Sequence, residues 1–169
     1  MRASTFAMAL TLGLALAAAA VCVAAGEPSV SIRFPNHGKY ANAGEGQRDV
    51  RQTETALSAH LEQLALKALA ADTQVNIEVL DIDLAGRISM RQLPVGVRVL
   101  DGRTDWPRIE LRYTLTAGDG TVSRGQESFI EPTYLQRQLS ASSDPLRHEK
   151  RLLRDWFRQR FPAQATARR

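Results

Sequence analysis

One stretch decides the fold: Val75-Asn76-Ile77-Glu78-Val79-Leu80-Asp81-Ile82-Asp83-Leu84-Ala85-Gly86, residues 75–86. It has the composition of a long strand that carries two acidic side chains. Apolar residues occupy one face as far as Val79, and from Leu80 onward they occupy the opposite face. A β-bulge, or a second face that is also covered, would explain this change of phase. We expect the strand to lie centrally in a sheet that helices cover, because so apolar a strand needs burial.

A strand and a helix precede this stretch. Residues 29–34 alternate apolar and polar side chains before Pro35, which is the pattern of a short strand. A loop rich in glycine and asparagine follows over residues 36–47. From Asp49, which we expect to be an N-cap, apolar residues recur at helical spacing as far as Ala71. The order strand, helix, strand predicts a right-handed β-α-β unit.

Two further strands and a closing helix follow. Residues 108–117 alternate cleanly, and Gly118-Asp119-Gly120 turns the chain into a more polar strand, 121–130, that suits a sheet edge. The closing helix is expected to start with Asp144 as its N-cap and Pro145 in the first helical position. The fold class that follows is α+β: a two-layer sandwich in which two helices cover a roughly four-stranded mixed sheet, in the order β-α-β-β-β-α.

Residues 87–107 interrupt this pattern. Val95, Val97 and Val99 alternate like a strand, whereas Pro94 and Gly96 are typical of a loop. We interpret the segment as a long excursion with a short strand inside it, and such excursions often carry binding surfaces. Its arginines, which make it one candidate contact surface, are Arg87, Arg91, Arg98 and Arg103.

Residues 1–25 have the layout of a secretory signal peptide, with Val23 and Ala25 at the positions that precede a cleavage site before Gly26. Two alternatives stay open. The apolar run is about long enough to anchor the chain in a membrane, and Cys22 would begin the mature chain of a lipoprotein, although the residue before it fits such a signal poorly. We favour cleavage, which predicts export to the periplasm and leaves no transmembrane span.

The remainder of the chain is predicted to form one domain over residues 26–162, followed by a disordered basic tail over residues 163–169. Because the single cysteine lies in the predicted signal peptide, no disulfide stabilises this domain. The whole chain has 22 Lys and Arg against 18 Asp and Glu. So small a basic excess does not by itself define a partner.

Four arginines share one stripe of the closing helix, at spacings of four, three and four residues: Arg147, Arg151, Arg154 and Arg158. We expect them to form an exposed cationic ridge. Because guanidinium groups donate two hydrogen bonds at once to phosphate or carboxylate, the ridge predicts contact with an anionic envelope partner, such as a lipid phosphate or an acidic protein face. The alternative is an ordinary solvated helix face.

The alternative function is a periplasmic metal-assisted hydrolase that uses Asp81 and Asp83 with a histidine such as His37 or His148. The three histidines are scattered, His60 has the position of a packed side chain, and the chain lacks a nucleophile elbow, a zinc helix and a phosphate loop. We therefore predict that both aspartates are structural, and we predict no catalytic residue, metal or cofactor. The aromatic residues do not alternate with basic ones, so nucleic-acid binding is not expected.

Three motifs carry a resemblance: Asp81–Gly86, Trp106–Leu111, and Asp144-Pro145-Leu146 continued by Trp156-Phe157. They resemble those of an uncharacterised family of short exported proteobacterial proteins, a domain of unknown function, over nearly all of residues 29–161. The resemblance implies a periplasmic address but no activity or catalytic residue.

We treat Asp81, Asp83, Gly86 and Trp106 as the structural motif of that family. The architecture is also similar to the small lipoprotein that assists lipopolysaccharide export, although fold analogy alone says little about function. The prediction is a non-catalytic periplasmic binding module, or an accessory to envelope assembly.

The first testable prediction concerns the N-terminus. If residues 1–25 are a signal peptide, the exported chain begins at Gly26 or close to it, because Val23 and Ala25 have the spacing that signal peptidase requires. N-terminal sequencing of the exported protein checks this. Recovery of a lipid-modified Cys22 would instead establish a lipoprotein.

Overall fold

The computed structural model describes residues 27–89, 97–137 and 143–162. The predicted signal peptide and the basic tail lie outside the described residues. The elements follow in the order β1 (Ser29–Arg33), α1 (Gln47–Ala68), β2 (Gln74–Asp83), β3 (Arg87–Ser89), β4 (Val97–Val99), β5 (Arg108–Thr116), β6 (Val122–Ile130) and α2 (Arg147–Arg160). Within this part of the chain, neither helix has the length and apolar character needed to cross a membrane.

Four strands form one mixed sheet in the order β1-β2-β5-β6. β1 runs parallel to β2, as a β-α-β unit requires, whereas β5 and β6 continue the sheet antiparallel. Both helices pack on the apolar face of β2 and β5 to form a single core. The predicted α+β sandwich is confirmed, with β2 inside the sheet and β6 at its edge.

The change of phase in β2 is a bulge. The register with β5 shifts between Val79 and Asp81, so that Leu80 is the extra residue. This insertion turns the second half of the strand over and keeps one face apolar along its whole length. The buried side chains on that face are Val75, Ile77, Val79, Ile82 and Leu84. Of the two explanations that the sequence left open, the bulge is therefore the correct one.

β1 ends where the bulge begins, and the following loop takes its place. The side-chain amide of Asn36 donates to the carbonyl of Leu80 at 2.8 Å. Further along, the N–H of Asn42 donates to the carbonyl of Ile82, and the N–H of Leu84 donates to the carbonyl of Asn42, both at 2.9 Å. The second half of β2 is thus paired on both sides, which satisfies its backbone groups.

Helix α1 begins at Gln47, so the prediction of Asp49 as its N-cap is wrong. The N-cap is Gly46, which makes no side-chain cap bond, and Asp49 lies in the first turn. The helix ends at Ala68, so the stripe does not extend to Ala71. Apolar periodicity marks the buried face of a helix and carries no information about an exposed first turn, where the error arose. The buried residues are Val50, Thr53, Leu57, Leu61 and Ala65.

Helix α2 begins at Arg147, so the prediction of Asp144 as its N-cap is also wrong. Its N-cap is Leu146, and residues 145–146 form a turn before the helix. The carbonyl of Asp144 accepts the N–H of Arg147, a bond of the tighter, non-α type. The Asp144 carboxylate nevertheless accepts the N–H of Leu146 at 2.9 Å. It therefore satisfies one free donor, as a cap does.

The excursion contains the predicted strand and a second strand that the sequence did not reveal. β3 pairs antiparallel with β4 to make a separate two-stranded sheet. β3 contains a single apolar residue, Ile88, so no alternating pattern marks it, which is why it was missed. Residues 90–96, which include Arg91 and Val95, lie outside the described part of the chain.

Gly86 joins the main sheet to this smaller one, and it provides the second testable prediction. Its φ is +78°, and a Cβ atom there would lie 2.5 Å from the carbonyl oxygen of Val99. Gly120 has a similar φ of +83° but open space around it. Gly120→Ala should therefore cost roughly 1–2 kcal/mol of stability from backbone strain alone, and Gly86→Ala about twice that or more, because the clash adds to the strain.

Denaturant unfolding of both variants and the parent measures the two costs. Equal losses at the two positions would show that the contact with Val99 relaxes freely, which contradicts the prediction.

Candidate functional site

The carboxylate of Asp81 joins three segments of the chain. Its Oδ1 accepts the N–H of Ala41 at 2.8 Å, and its Oδ2 lies 2.7 Å from Nη2 of Arg108. Asp81 thus binds the loop after β1 to β2 and pairs across to β5. Both oxygens are engaged, in the two kinds of contact that a structural carboxylate makes.

Asp83 stands opposite Arg108 in the register of β2 and β5. Partial burial raises the pKa of its carboxyl, as does the charge of Asp81, whereas Arg108 and Asn42 oppose the shift. Two acidic groups on one strand therefore share one arginine. Arg108 donates its hydrogen bond to Asp81, so the ionised form of Asp83 is stabilised less.

The two other residues of the structural motif meet around Asp105. The N–H of Gly86 donates to the carbonyl of Asp105 at 2.9 Å, and Nε1 of Trp106 donates to the carbonyl of Gly102 at 3.2 Å. The Asp105 carboxylate is buried and accepts N–H groups from Asp101 and Gly102, both at 2.8 Å. Burial favours the protonated form of Asp105. The hydrogen bonds favour the carboxylate more strongly, and they hold the pKa of Asp105 below its usual value.

Glu149 is a buried carboxylate that the sequence analysis missed. Its side chain is 1% exposed, and its Oε1 accepts the N–H of Ala85 at 2.7 Å. On the other side of the same segment, Nη1 of Arg98 donates to the carbonyls of Ala85 and Gly86, both at 3.0 Å. Burial raises the pKa of Glu149, and Oε2 has no hydrogen-bond partner among the described residues.

A signal for Glu149 was present in the sequence. It lies three residues after Leu146 and four before Leu153, which places it on the apolar stripe of α2. A charged residue on a buried stripe is uncommon and indicates an internal partner. That partner, the N–H of Ala85, is a backbone group, so no sequence pattern identifies it.

The neighbouring His148 is also buried, and the edge of its ring meets the ring of Tyr134 with centroids 4.8 Å apart. Neither ring nitrogen has a hydrogen-bond partner among the described residues. Burial lowers the pKa of His148, and the nearby charges of Arg147 and Arg151 lower it further. His148 is therefore a neutral packing residue of the core.

The residues proposed for a hydrolase are not brought together. His37 lies 2.9 Å from Glu54 and 3.0 Å from Gln47, and the hydrogen bond with Glu54 raises its pKa. His60 is half-buried, and its Nε2 lies 2.7 Å from the carbonyl of Lys150. Across residues 27–89, 97–137 and 143–162, no three His, Cys, Asp or Glu side chains are placed to hold a metal ion.

A groove of about 460 Å³ lies between β6 and α2. Its apolar lining includes Phe129, Leu152 and Trp156, and the rings of Phe129 and Trp156 stack with centroids 5.7 Å apart. The charged side chains around this lining are Glu127, Glu131, Arg137, Asp155 and Arg158. The combination of an apolar base and a charged rim is typical of a binding site.

Most of these charges neutralise one another. Arg137 lies 2.7 Å from Glu131 and 3.2 Å from Asp155. Glu127 forms an ion pair with Arg160, which lies outside the groove lining. Its carboxylate also accepts a hydrogen bond from Nε1 of Trp156. Arg158 is exposed, and within the described part of the chain it forms neither a hydrogen bond nor an ion pair. Among the described residues that line the groove, Arg158 is therefore the cation without an ion-pair partner.

The other arginines of the predicted ridge differ in exposure. Arg147 is half-buried, and the side chain of Arg154 is 43% exposed. The side chain of Arg151 is only 11% exposed, and its Nε lies 3.8 Å from Asp155. The expectation of four exposed arginines is therefore wrong for Arg151. The reason is that α2 packs over more than its apolar stripe, and the aliphatic part of an arginine is readily buried.

The arginines of the excursion also differ in their exposure and contacts. Arg98 is half-buried and holds the backbone beside Glu149, as described above. Arg87 approaches Thr104 at 3.5 Å, and Arg103 is exposed. Arg98 therefore contributes to the structure of this surface and is not available to a partner.

The family described as "Protein of unknown function (DUF3016)" matches residues 28–159. This range includes every described strand and all but the last residue of α2. No curated protein matches the chain.

The third testable prediction concerns the buried carboxyl of Glu149. Its pKa is raised above the ordinary value of 4.5, so the folded state binds the proton more strongly than the unfolded state does. The stability that this group contributes is fully present below pH 4.5 and is lost as the pH rises through the folded pKa. Glu149→Gln should therefore stabilise the protein relative to the parent at pH 8, and the difference should shrink toward pH 4.5, by at most about 1.4 kcal/mol per pH unit.

Urea unfolding at several pH values measures the difference, and Glu45→Gln, at an exposed position, corrects for the loss of one negative charge. Glu149→Ala should instead destabilise the protein by roughly 1–3 kcal/mol, because the N–H of Ala85 loses its acceptor. A difference between Glu149→Gln and the parent that does not change with pH would contradict the prediction.

Proposed function

Since this chain belongs to the DUF3016 family of proteins of unknown function, we propose a function from the geometry of its groove. It is a non-catalytic binding module of the periplasm that takes an anionic partner of the cell envelope between β6 and α2. The periplasmic address is inferred from the signal-peptide pattern of residues 1–25. The resemblance of the motifs to a family of exported proteins implies the same address.

The observation that carries the proposal is the position of Arg158. Its guanidinium has no partner among the described residues, and it lines the same groove as the apolar side chains of Phe129 and Trp156. A ligand that joins an oxyanion to an apolar group matches both features at once. Guanidinium binds phosphate and carboxylate through paired hydrogen bonds, and it loses less hydration in doing so than an ammonium group.

The neighbouring charges define the limits of this site. Glu131 and Asp155 are held by Arg137, so they do not compete for Arg158. Of the other ridge arginines, Arg147 and Arg154 keep part of their surface exposed and extend the positive potential along α2. Arg151, whose side chain is only 11% exposed, acts with Asp155 within the protein. The partner is therefore anchored at one end of α2 and attracted along its length.

The fourth testable prediction concerns Arg158→Glu. Sedimentation with vesicles that contain phosphatidylglycerol should show binding by the parent at low salt, weakened by added salt. Reversing the charge at the groove should weaken that binding roughly tenfold or more, since each basic side chain near an anionic surface contributes substantially. Arg48→Glu, an exposed position on α1, makes the same change of net charge and should have a much smaller effect.

A second arm distinguishes a lipid from a protein partner. The parent and Arg158→Glu are each used to retain proteins from an envelope extract freed of lipid. Binding to vesicles alone identifies lipid phosphate, and retention of an acidic protein that depends on Arg158 identifies a protein face. If Arg158→Glu behaves as the parent does in both arms, the groove does not bind an anion and the proposal is wrong.

A further inference from the structure

The outer edge of β6 carries a second feature, which is independent of the groove. β6 is nine residues long, and no described strand pairs with its outer side. The pairing with β5 continues without a register shift, and the strand contains neither proline nor lysine. Bulges, prolines and lysines are among the devices that prevent strand addition at an edge, and β6 has none of these three. Of its two charged side chains, Glu127 is paired with Arg160 on the helix side, and Arg124 is exposed.

The sequence of β6 is arranged symmetrically about Gln126. Val122 and Ile130 lie four residues before and after it, and they are 46% and 47% exposed. If a second β6 paired antiparallel with the first about Gln126, Val122 of each copy would stand opposite Ile130 of the other. Two exposed apolar side chains would then cover each other at both ends of the strand.

The same register places complementary charges together. Arg124 would stand opposite Ser128 of the second copy, and Ser128 is paired with Glu110 in the sheet of that copy. Strands two apart are separated by roughly 9.6 Å, a gap that the long arginine and glutamate side chains bridge over the short serine. Neither Arg124 nor Glu110 has an ion pair among the described residues. The dimer would contain two ion pairs, each between Arg124 of one copy and Glu110 of the other.

We propose that two copies of this chain associate through β6, antiparallel about Gln126, to form one continuous sheet across both copies. The pairing joins the free backbone groups of the two edges, covers Val122 and Ile130, and brings Arg124 of each copy to Glu110 of the other. Because Ile130 also lines the groove, Val122 of the second copy would lie beside the groove of the first.

Analytical ultracentrifugation of the purified protein tests this, with the mass of one chain taken from mass spectrometry of the same sample. The parent should sediment at twice that mass. Arg124→Glu should raise the dissociation constant roughly tenfold or more, since it replaces two attractions by two repulsions. Arg33→Glu, an exposed position on the opposite edge strand, should leave the dimer unchanged.

The charge swap provides the decisive variant. Arg124→Glu combined with Glu110→Arg should restore the dimer, because the two charges have only changed places. In a background with Cys22→Ser, Gln126→Cys should form a covalent dimer on oxidation, because the two residues face each other. A parent that is monomeric at all concentrations, or a dimer that Arg124→Glu leaves unchanged, would overturn the proposal.

Discussion

The bulge at Leu80 is the constraint on which the rest of the structure depends. In a regular strand, Ile82 and Leu84 would face solvent while Val75, Ile77 and Val79 faced the helices. Burying each of those two side chains contributes roughly 1.5–3 kcal/mol. The ladder bond that a bulge displaces contributes only about 1 kcal/mol, and the Leu80 carbonyl still finds a partner in Asn36. The bulge is therefore favourable, and it allows one layer of helices to cover the whole sheet.

Everything that follows the bulge is held by contacts from distant parts of the chain. Asp81 binds the loop before α1, and the N–H of Gly86 donates to the carbonyl of Asp105. The carbonyl of Ala85 accepts a hydrogen bond from Arg98, and the N–H of Ala85 donates to Glu149. The segment thus connects the main sheet, the smaller sheet and α2. Its acidic residues were the reason to consider catalysis, yet Asp81 has both oxygens committed to the protein. The contacts of Asp81 account for its place in this segment without any catalytic role.

The sequence predicted the parts of the fold that depend on periodicity, and it failed where single contacts decide. Alternation and helical spacing were sufficient for the four strands of the main sheet and for both helices, and they indicated the bulge as one of two explanations for the change of phase. Both N-caps were placed wrongly. The first turn of α1 is exposed and leaves no apolar pattern, and the first turn of α2 buries His148 and Glu149, which are polar and do not extend the apolar pattern either. In the site, the arginine stripe of α2 was visible in the sequence. The difference between Arg151, which is largely covered, and Arg158, which is exposed, depends on how α2 packs and on the carboxylate of Asp155. The groove itself combines residues from β6 and α2, and no local pattern joins them.

The parallel pairing of β1 with β2 also affects the order of folding. β5 and β6 are joined by a short turn and can pair within microseconds, on the order of 1–10 µs, whereas Ser29 meets Gln74 only after the loop and α1 have closed. Closing that segment costs conformational entropy before any contact between β1 and β2 can form, so β1 docks late. Until then, the edge of β2 and its apolar residues are open to pairing with other chains. That transient edge is the part of the folding chain that a chaperone would have to shield.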